Sequence, residues 1–290
     1  MNHGANAAFA DLFERGICTA GSVMVPCPWF LEVAEMQAKN PRLDIGVHLV
    51  LTSEFRTYRW RPLTGASQAS GLVDRDGYFW RTAKETREHA HRDAVDAELR
   101  AQVEAAKAAG IDITHIDGHM FTVLCPDYID IYVRLGREER VPVLLVRQEA
   151  AYGSMEKGPA VDAAIVAADQ EGLPVFDRVL ETPWQRGASV EADYDALLGR
   201  IGPGLNYMAL HFNAPGEIAS IEPEPANIRT EEYAHFRGTG MRDRLASDGI
   251  ELIGMRGLRE ELRRGPHAAT AADSPAAVRQ SRDGVQPPPT

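Results

Sequence analysis

Three histidines occupy positions where imidazole chemistry is expected in an α/β protein. His48 lies in the second half of the apolar run Asp44-Ile-Gly-Val-His-Leu-Val-Leu-Thr52, which reads as a strand. His119 comes two residues after Asp117, where the β-prone run Ile113–Asp117 breaks at Gly118. His211 closes Tyr207-Met-Ala-Leu210 and opens Phe-Asn-Ala-Pro-Gly216. Reactive side chains in parallel α/β folds gather at the carboxyl ends of strands. Any one such histidine also reads as a satisfied or exposed polar residue; three at the same end of different strands favour a shared site. Imidazole is the commonest metal ligand, and a carboxylate on its second nitrogen orients it. His48 and His119, with Asp117 nearby, therefore read as half of a divalent-metal site. A catalytic zinc-type site wants three protein ligands and an open position for water. Only two convincing ligands stand out, with neither a third, carboxylate ligand nor a base for the water.

The other histidines carry less. His115 would share a strand face with Asp117 but one layer deeper, so it reads as structural. His89 and His91 are two apart on a helical stretch, point apart and read as solvated. Cys18, Cys27 and Cys125 are odd in number and lack CxxC spacing, so they read as buried thiols in a reducing compartment.

Elements that could position these residues alternate along the chain. Helices are expected over Ala5–Arg15, Trp29–Ala38, Thr86–Ala109, Tyr128–Arg137, Ala160–Ala168, Glu191–Arg200, Thr230–Ser247 and Leu258–Arg263. Strands are expected over Thr19–Val25, Asp44–Thr52, Ile113–Asp117, Val141–Val146, Pro174–Phe176, Asn206–His211 and Glu251–Ile253. This order predicts parallel strands with crossover helices, and its size and strand count favour a (β/α) barrel over a doubly wound sheet. Ser53–Trp80 is a long irregular connection of the kind that covers functional sites. No glycine-rich phosphate or dinucleotide loop follows a strand. Residues 1–264 read as one domain. Residues 265–290 hold five prolines and six alanines but no aromatic residue, and are expected to be a disordered tail.

A net charge of −11 over 290 residues argues against nucleic acid and anionic membrane surfaces as partners. No apolar run is long enough to span a bilayer, and the first residues lack the pattern of a signal peptide, so a cytoplasmic setting is expected.

Several segments, in order, resemble the YdjC-like carbohydrate deacetylases. Asp44–Thr52 resembles their GlHLxLT strand, and Thr114-His-Ile-Asp-Gly-His119 their THxDxH segment. Glu98-Leu-Arg-Ala-Gln102 resembles their ELxAQ helix, Pro142–Arg147 their PxR strand, and Leu72–Phe79 their LvdxdGxf loop. Leu210-His211 with Pro215-Gly216 is similar to a stretched HPG segment. The resemblance implies a distorted (β/α) barrel and metal-dependent removal of acetyl groups from N-acetylated sugars, with a small-molecule or oligosaccharide substrate. It implies one divalent ion, Mg or Zn foremost, held by His48 and His119. It assigns His211 to protonation of the leaving amine, Asp117 to support of the metal site within the catalytic set, and Arg147 to substrate or to orienting a catalytic carboxylate. Trp60, in the long loop, is a candidate for stacking on a sugar ring.

Two departures accompany it. Phe121 stands where many relatives carry a second histidine. The family's opening strand, ending in Ala-Asp-Asp, supplies the general base and the third ligand, and it has no counterpart after Met1. The expectation is that the native start lies upstream and that the chain as given is inactive or impaired. Two alternatives stay open: a sugar-binding protein without turnover, and a metal phosphatase or phosphodiesterase on a similar scaffold. A homo-oligomer is compatible with the sequence, which does not fix the oligomeric state.

Overall fold

The computed structural model describes residues 1–149, 158–224 and 226–264; the side chains of residues 148 and 149 and the tail expected at 265–290 lie outside that description. The elements run α1 (His3–Glu14), β1 (Gly21–Val23), α2 (Phe30–Lys39), β2 (Ile45–Leu49), α3 (Ala83–His89), α4 (Arg92–Ala108), β3 (Ile113–Gly118), α5 (Ile129–Glu139), β4 (Val146–Glu149), α6 (Pro159–Gln170), β5 (Phe176–Glu181), α7 (Val190–Leu198), β6 (Asn206–Ala209), α8 (Ile218–Ile221), α9 (Ala226–Arg237), α10 (Met241–Ser247) and α11 (Met255–Arg264).

Among the described residues all strand pairs are parallel, in two three-stranded sheets ordered β1-β2-β3 and β4-β5-β6. The sheets meet where Ile116 of β3 bonds Pro142 and Leu144. Tyr132 of α5 locks that junction: its hydroxyl donates to the Ile116 carbonyl and accepts from the Leu144 amide, each at 2.8 Å. Among the described residues no ladder joins β6 to β1, so the expected barrel is not closed. The free edges of β1 and β6 instead border one large cavity. The strand expected at Glu251–Ile253 has no ladder partner among the described residues; this segment lines the cavity, with Leu252 and Ile253 exposed.

Two expected long helices are each divided. Thr86–Ala109 becomes α3 and α4, broken where the His91 amide donates to the Ser70 carbonyl rather than within a helix. Thr230–Ser247 is interrupted at Gly238–Gly240, Gly240 lying at φ +90°. The strand expected from Val141 begins only at Val146; before it, Val143 makes an isolated bridge to Ile116.

The core behind the first sheet is apolar and tight, with Val47, Leu49, Leu99, Val103 and Ile116 essentially fully buried. Two polar residues of α4 tie this core to the long loop. Gln102 pairs both amide groups with the Val50 backbone, donating at 2.8 Å and accepting at 2.9 Å. Buried Glu98 accepts from the Leu63 and Thr64 amides at 3.0 Å, from the Thr64 hydroxyl at 2.8 Å and from Gln102 at 2.9 Å. Buried carboxylates persist when hydrogen bonds replace their water, and here those bonds fix the chain leaving β2.

Candidate active site

His48 and Asp117 stand opposite each other in the parallel register of β2 and β3, so strand pairing itself brings them together. The His48 Nδ1 lies 2.7 Å from Asp117 Oδ1. The other Asp117 oxygen accepts from the Ser22 and Tyr207 hydroxyls, each at 2.9 Å. Burial alone would raise the Asp117 carboxyl, but the charge and hydrogen bond of His48, helped by Ser22, outweigh it and hold it down at about 2. Asp117 is thus an ionised, fully engaged anchor for His48 and is not available as a base.

β3 pairs as close to β2 as it does because position 46 is glycine. A Cβ there would come within 2.5–2.6 Å of the His115 ring atoms. His115 is fully buried, has Nδ1 3.0 Å from the Thr114 hydroxyl and leaves Nε2 without a partner. Its role as packing beneath the site agrees with the expectation.

His119 begins the turn after β3. Met120 and Phe121 follow at φ +51° and +50°, a left-handed conformation that bulky side chains rarely adopt, so the turn presenting His119 is strained. The His119 ring centroid is 5.4 Å from that of His48. Its Nε2 lies 2.9 Å from Glu54 Oε2. Burial pushes the Glu54 carboxyl up, but the neighbouring His119 outweighs it, leaving its pKa below the ordinary value. Glu54 lies five residues past the end of β2 and was missed in the sequence, although a carboxylate beyond the carboxyl end of the strand carrying His48 stands where reactive groups gather.

His211 lies just past β6, with its ring tilted against Trp184 at 4.7 Å. Its Nδ1 is 2.8 Å from the Thr182 hydroxyl, which lies 2.8 Å from Glu232 Oε1. Glu232 Oε2 accepts the His211 amide at 2.6 Å, and the Tyr194 hydroxyl donates to Oε1 at 2.7 Å. Burial, then the charges of Arg229, His48 and His119, hold His211 well below the usual imidazole range. Burial raises Glu232 to about 7 despite its hydrogen bonds. Glu232 and Thr182 were also missed. One clue was present: Glu232 falls four residues from Ile228 and four from Phe236, on the buried stripe of α9.

His48, Glu54, Asp117, His119, His211 and Arg229 line one cavity of about 1490 Å³. Two expected site residues do not line it. Arg147 bonds Asp169, lies 3.5 Å from Asp177 and borders a separate small hollow. Trp60 is buried; its indole N–H donates to the Thr52 carbonyl at 2.8 Å, and its edge supports His119 from behind at 6.1 Å. The aromatic ring on the cavity wall beside His211 is Trp184.

The donor chemistry suits a divalent ion in part. His48 and His119 each have one ring nitrogen engaged by a carboxylate, the arrangement that ligating imidazoles adopt. Among the described residues no group of three His, Cys, Asp or Glu side chains forms a metal cage, so the fit is that of an imidazole pair.

The family model described as YdjC-like protein matches residues 1–247. The chain belongs to the YdjC-like family. A carbohydrate deacetylase of Thermus thermophilus is 39% identical over 244 residues, covering 81% of each chain. One of Geobacillus stearothermophilus is 30% identical over 251 residues, covering 86% of this chain and 90% of its own. A chitooligosaccharide deacetylase of Yersinia enterocolitica is 29% identical over 155 residues, 52% of this chain and 58% of its own. A crystal structure named for cellobiose-phosphate cleavage, from Enterococcus faecalis V583, superposes with a TM-score of 0.70 at 20% identity. It covers 89% of this chain and 94% of its own, and at that identity it speaks for the fold alone.

Proposed function

We propose that this YdjC-like protein is a metal-dependent carbohydrate deacetylase that hydrolyses the acetamide of N-acetylated sugars or oligosaccharides. The observation carrying this reading is the convergence on one cavity of two carboxylate-held imidazoles and a third imidazole facing them. His48 and His119 are the residues that would hold the ion, Mg or Zn. When bound, it supplies Lewis-acid polarisation and a water of lowered pKa.

The protein's own groups account for the remaining chemistry. Asp117 fixes the His48 tautomer and ring direction. Glu54, ionised beside His119, is the carboxylate placed to take the proton of the attacking water at Oε1, since Oε2 bonds His119. His211 delivers a proton from Nε2 to the departing amine nitrogen as the C–N bond breaks. Trp184, with the Arg229 guanidinium 4.8 Å over its ring and His211 beside it, is the aromatic side chain of the cavity wall against which a sugar can pack. The three cysteines are unpaired, in keeping with a cytoplasmic setting, and among the described residues no helix is long and apolar enough to cross a membrane.

The test is acetate release from N,N′-diacetylchitobiose, measured with added Mg or Zn and after chelation. His48→Ala and His119→Ala are each expected to lose bound metal and acetate release together. Acetate release by metal-free His48→Ala, or phosphoester hydrolysis without any deacetylation, would overturn the reading.

A further inference from the structure

A leaving-group acid must carry a proton at working pH, and His211 has little capacity to hold an extra one. Its half-buried ring on the cavity wall faces the cationic Arg229 and the imidazoles of His48 and His119, which disfavour imidazolium. Its proton must be replaced from behind as it leaves. Among the described residues, the hydrogen bond at the back of the ring runs from Nδ1 to the Thr182 hydroxyl and on to Glu232.

We infer that Glu232 stores the proton that His211 delivers and passes it through the Thr182 hydroxyl, which makes both of them positioning residues for deacetylation. This rests on the reading of His211 as the leaving-group acid. The hydrogen-bonding capacity of the chain leaves two arrangements. Thr182 has one hydroxyl proton and Tyr194 has one, which goes to Glu232 Oε1. If Glu232 is ionised, Thr182 must donate to it, so His211 donates from Nδ1 and presents a bare Nε2 to the cavity. If Glu232 carries the proton on Oε1, it donates to Thr182, Thr182 donates to Nδ1, and Nε2–H faces the cavity as the acid.

The step balances between these two states. The Nε2 proton moves to the amine nitrogen as the C–N bond breaks. The Thr182 proton moves to Nδ1, and the Glu232 proton moves to Thr182 Oγ1. The result is a Glu232 carboxylate, a neutral His211 of the opposite tautomer and a protonated amine, with no imidazolium formed. The chain resets when a proton from the cavity reaches Nε2 and the relay runs in reverse, Nδ1 returning its proton to Thr182 Oγ1 and Thr182 passing its own to Glu232 Oε1. The groups facing Glu232 suit a carboxyl that changes charge near neutrality. They are Tyr194 from α7, Arg229 one turn earlier on α9, and His211 from the loop after β6. Arg186 acts through Tyr194 and is itself matched by Asp193 and Glu231. His235 stacks on Tyr194 at 5.0 Å.

The experiment has two arms. The first follows the His211 ring nitrogens by long-range proton–nitrogen NMR on the full chain, without substrate, from about pH 6 to about pH 8. The expected result is a change from the Nε2–H to the Nδ1–H tautomer across that range, abolished in Thr182→Val and restored in Thr182→Ser. One tautomer throughout in the wild type would overturn the relay. The second arm measures acetate release. Glu232→Gln keeps the carboxyl's shape but has no proton to give, so kcat is expected to fall about 10- to 100-fold with KM little changed, and the alkaline limb of the pH profile is expected to disappear. If His211→Ala abolishes release while Glu232→Gln leaves kcat and its pH profile intact, the relay is wrong and the function stands. If His211→Ala retains full release, the assignment of His211 is itself wrong.

Discussion

Glu232 should make the protein less stable as pH rises, against the trend that most carboxylates impose. Its pKa moves from an ordinary 4.5 to about 7 in the folded chain. Between those values the unfolded chain has released the proton and the folded chain still holds it. The native state then binds more protons, so unfolding free energy falls with rising pH. A difference of roughly 2.5 units at about 1.36 kcal/mol each gives about 3 kcal/mol, lost from about pH 4.5 upward and fully lost above about pH 8. Glu232 is completely buried, so solvent screening does not erode this figure. His211 acts oppositely: its folded pKa is depressed, so its own contribution improves as pH rises toward the imidazole range. Wild-type stability alone therefore mixes the two, and the difference from Glu232→Gln isolates the carboxyl. Gln carries a fixed penalty where its amide meets the His211 N–H, but that penalty does not titrate. Urea unfolding followed by tryptophan fluorescence at about pH 5 and about pH 8 should show Glu232→Gln gaining about 2.5 kcal/mol relative to wild type across the interval, since part of the effect is already lost below about pH 5. A difference that stays constant within about 1 kcal/mol would refute a carboxyl protonated at neutrality, and with it the proton store behind His211.

Three further outcomes are expected. Gly46→Ala should cost about 1–3 kcal/mol in urea unfolding because the new methyl meets the His115 ring, and it should cost almost nothing in a His115→Ala background. Glu98→Ala strands the Leu63 and Thr64 amides and should cost about 3 kcal/mol, with proteolytic cleavage appearing first in the loop between β2 and α3. Arg147→Ala, removing a surface partner of Asp169 away from the cavity, should leave acetate release within about twofold of wild type; a large loss would return Arg147 to the substrate.

The alternation of strands and helices was readable because apolar periodicity is local, and the convergence of His48 with Asp117 was readable because both lie at the ends of parallel neighbours. The divisions within the two long helical stretches were not. Amphipathic spacing continues through Ala90 and His91, and the break there is imposed by a hydrogen bond to Ser70, a residue of the distant loop. Barrel closure failed as an expectation for a related reason: strand count and size say nothing about which edges pair, and the edges of β1 and β6 border a cavity instead. Trp60 looked like a substrate platform because loop aromatics commonly are. Its burial follows from an indole N–H that finds the Thr52 carbonyl, a contact that no spacing rule reveals.

The three histidines were visible singly, while the groups that decide their chemistry were not, because each partner arrives from elsewhere in the chain. Asp117 is 69 residues from His48, Glu54 is 65 from His119, and Thr182 and Glu232 are 50 apart. In the sequence Glu231 and Glu232 are indistinguishable helix carboxylates. In the fold one turns outward to Arg186, and the other sits between Ile228 and Phe236 under His211. That single residue step along the helix separates a solvated ion pair from a buried acid near neutrality. It follows that the three imidazoles, alike in composition, are tuned differently. Asp117, ionised and bonded directly, favours a fixed His48 tautomer suited to a ligand. Glu232, reaching His211 through a hydroxyl that can both donate and accept, permits either tautomer and so suits a group that must lose and regain a proton in every cycle.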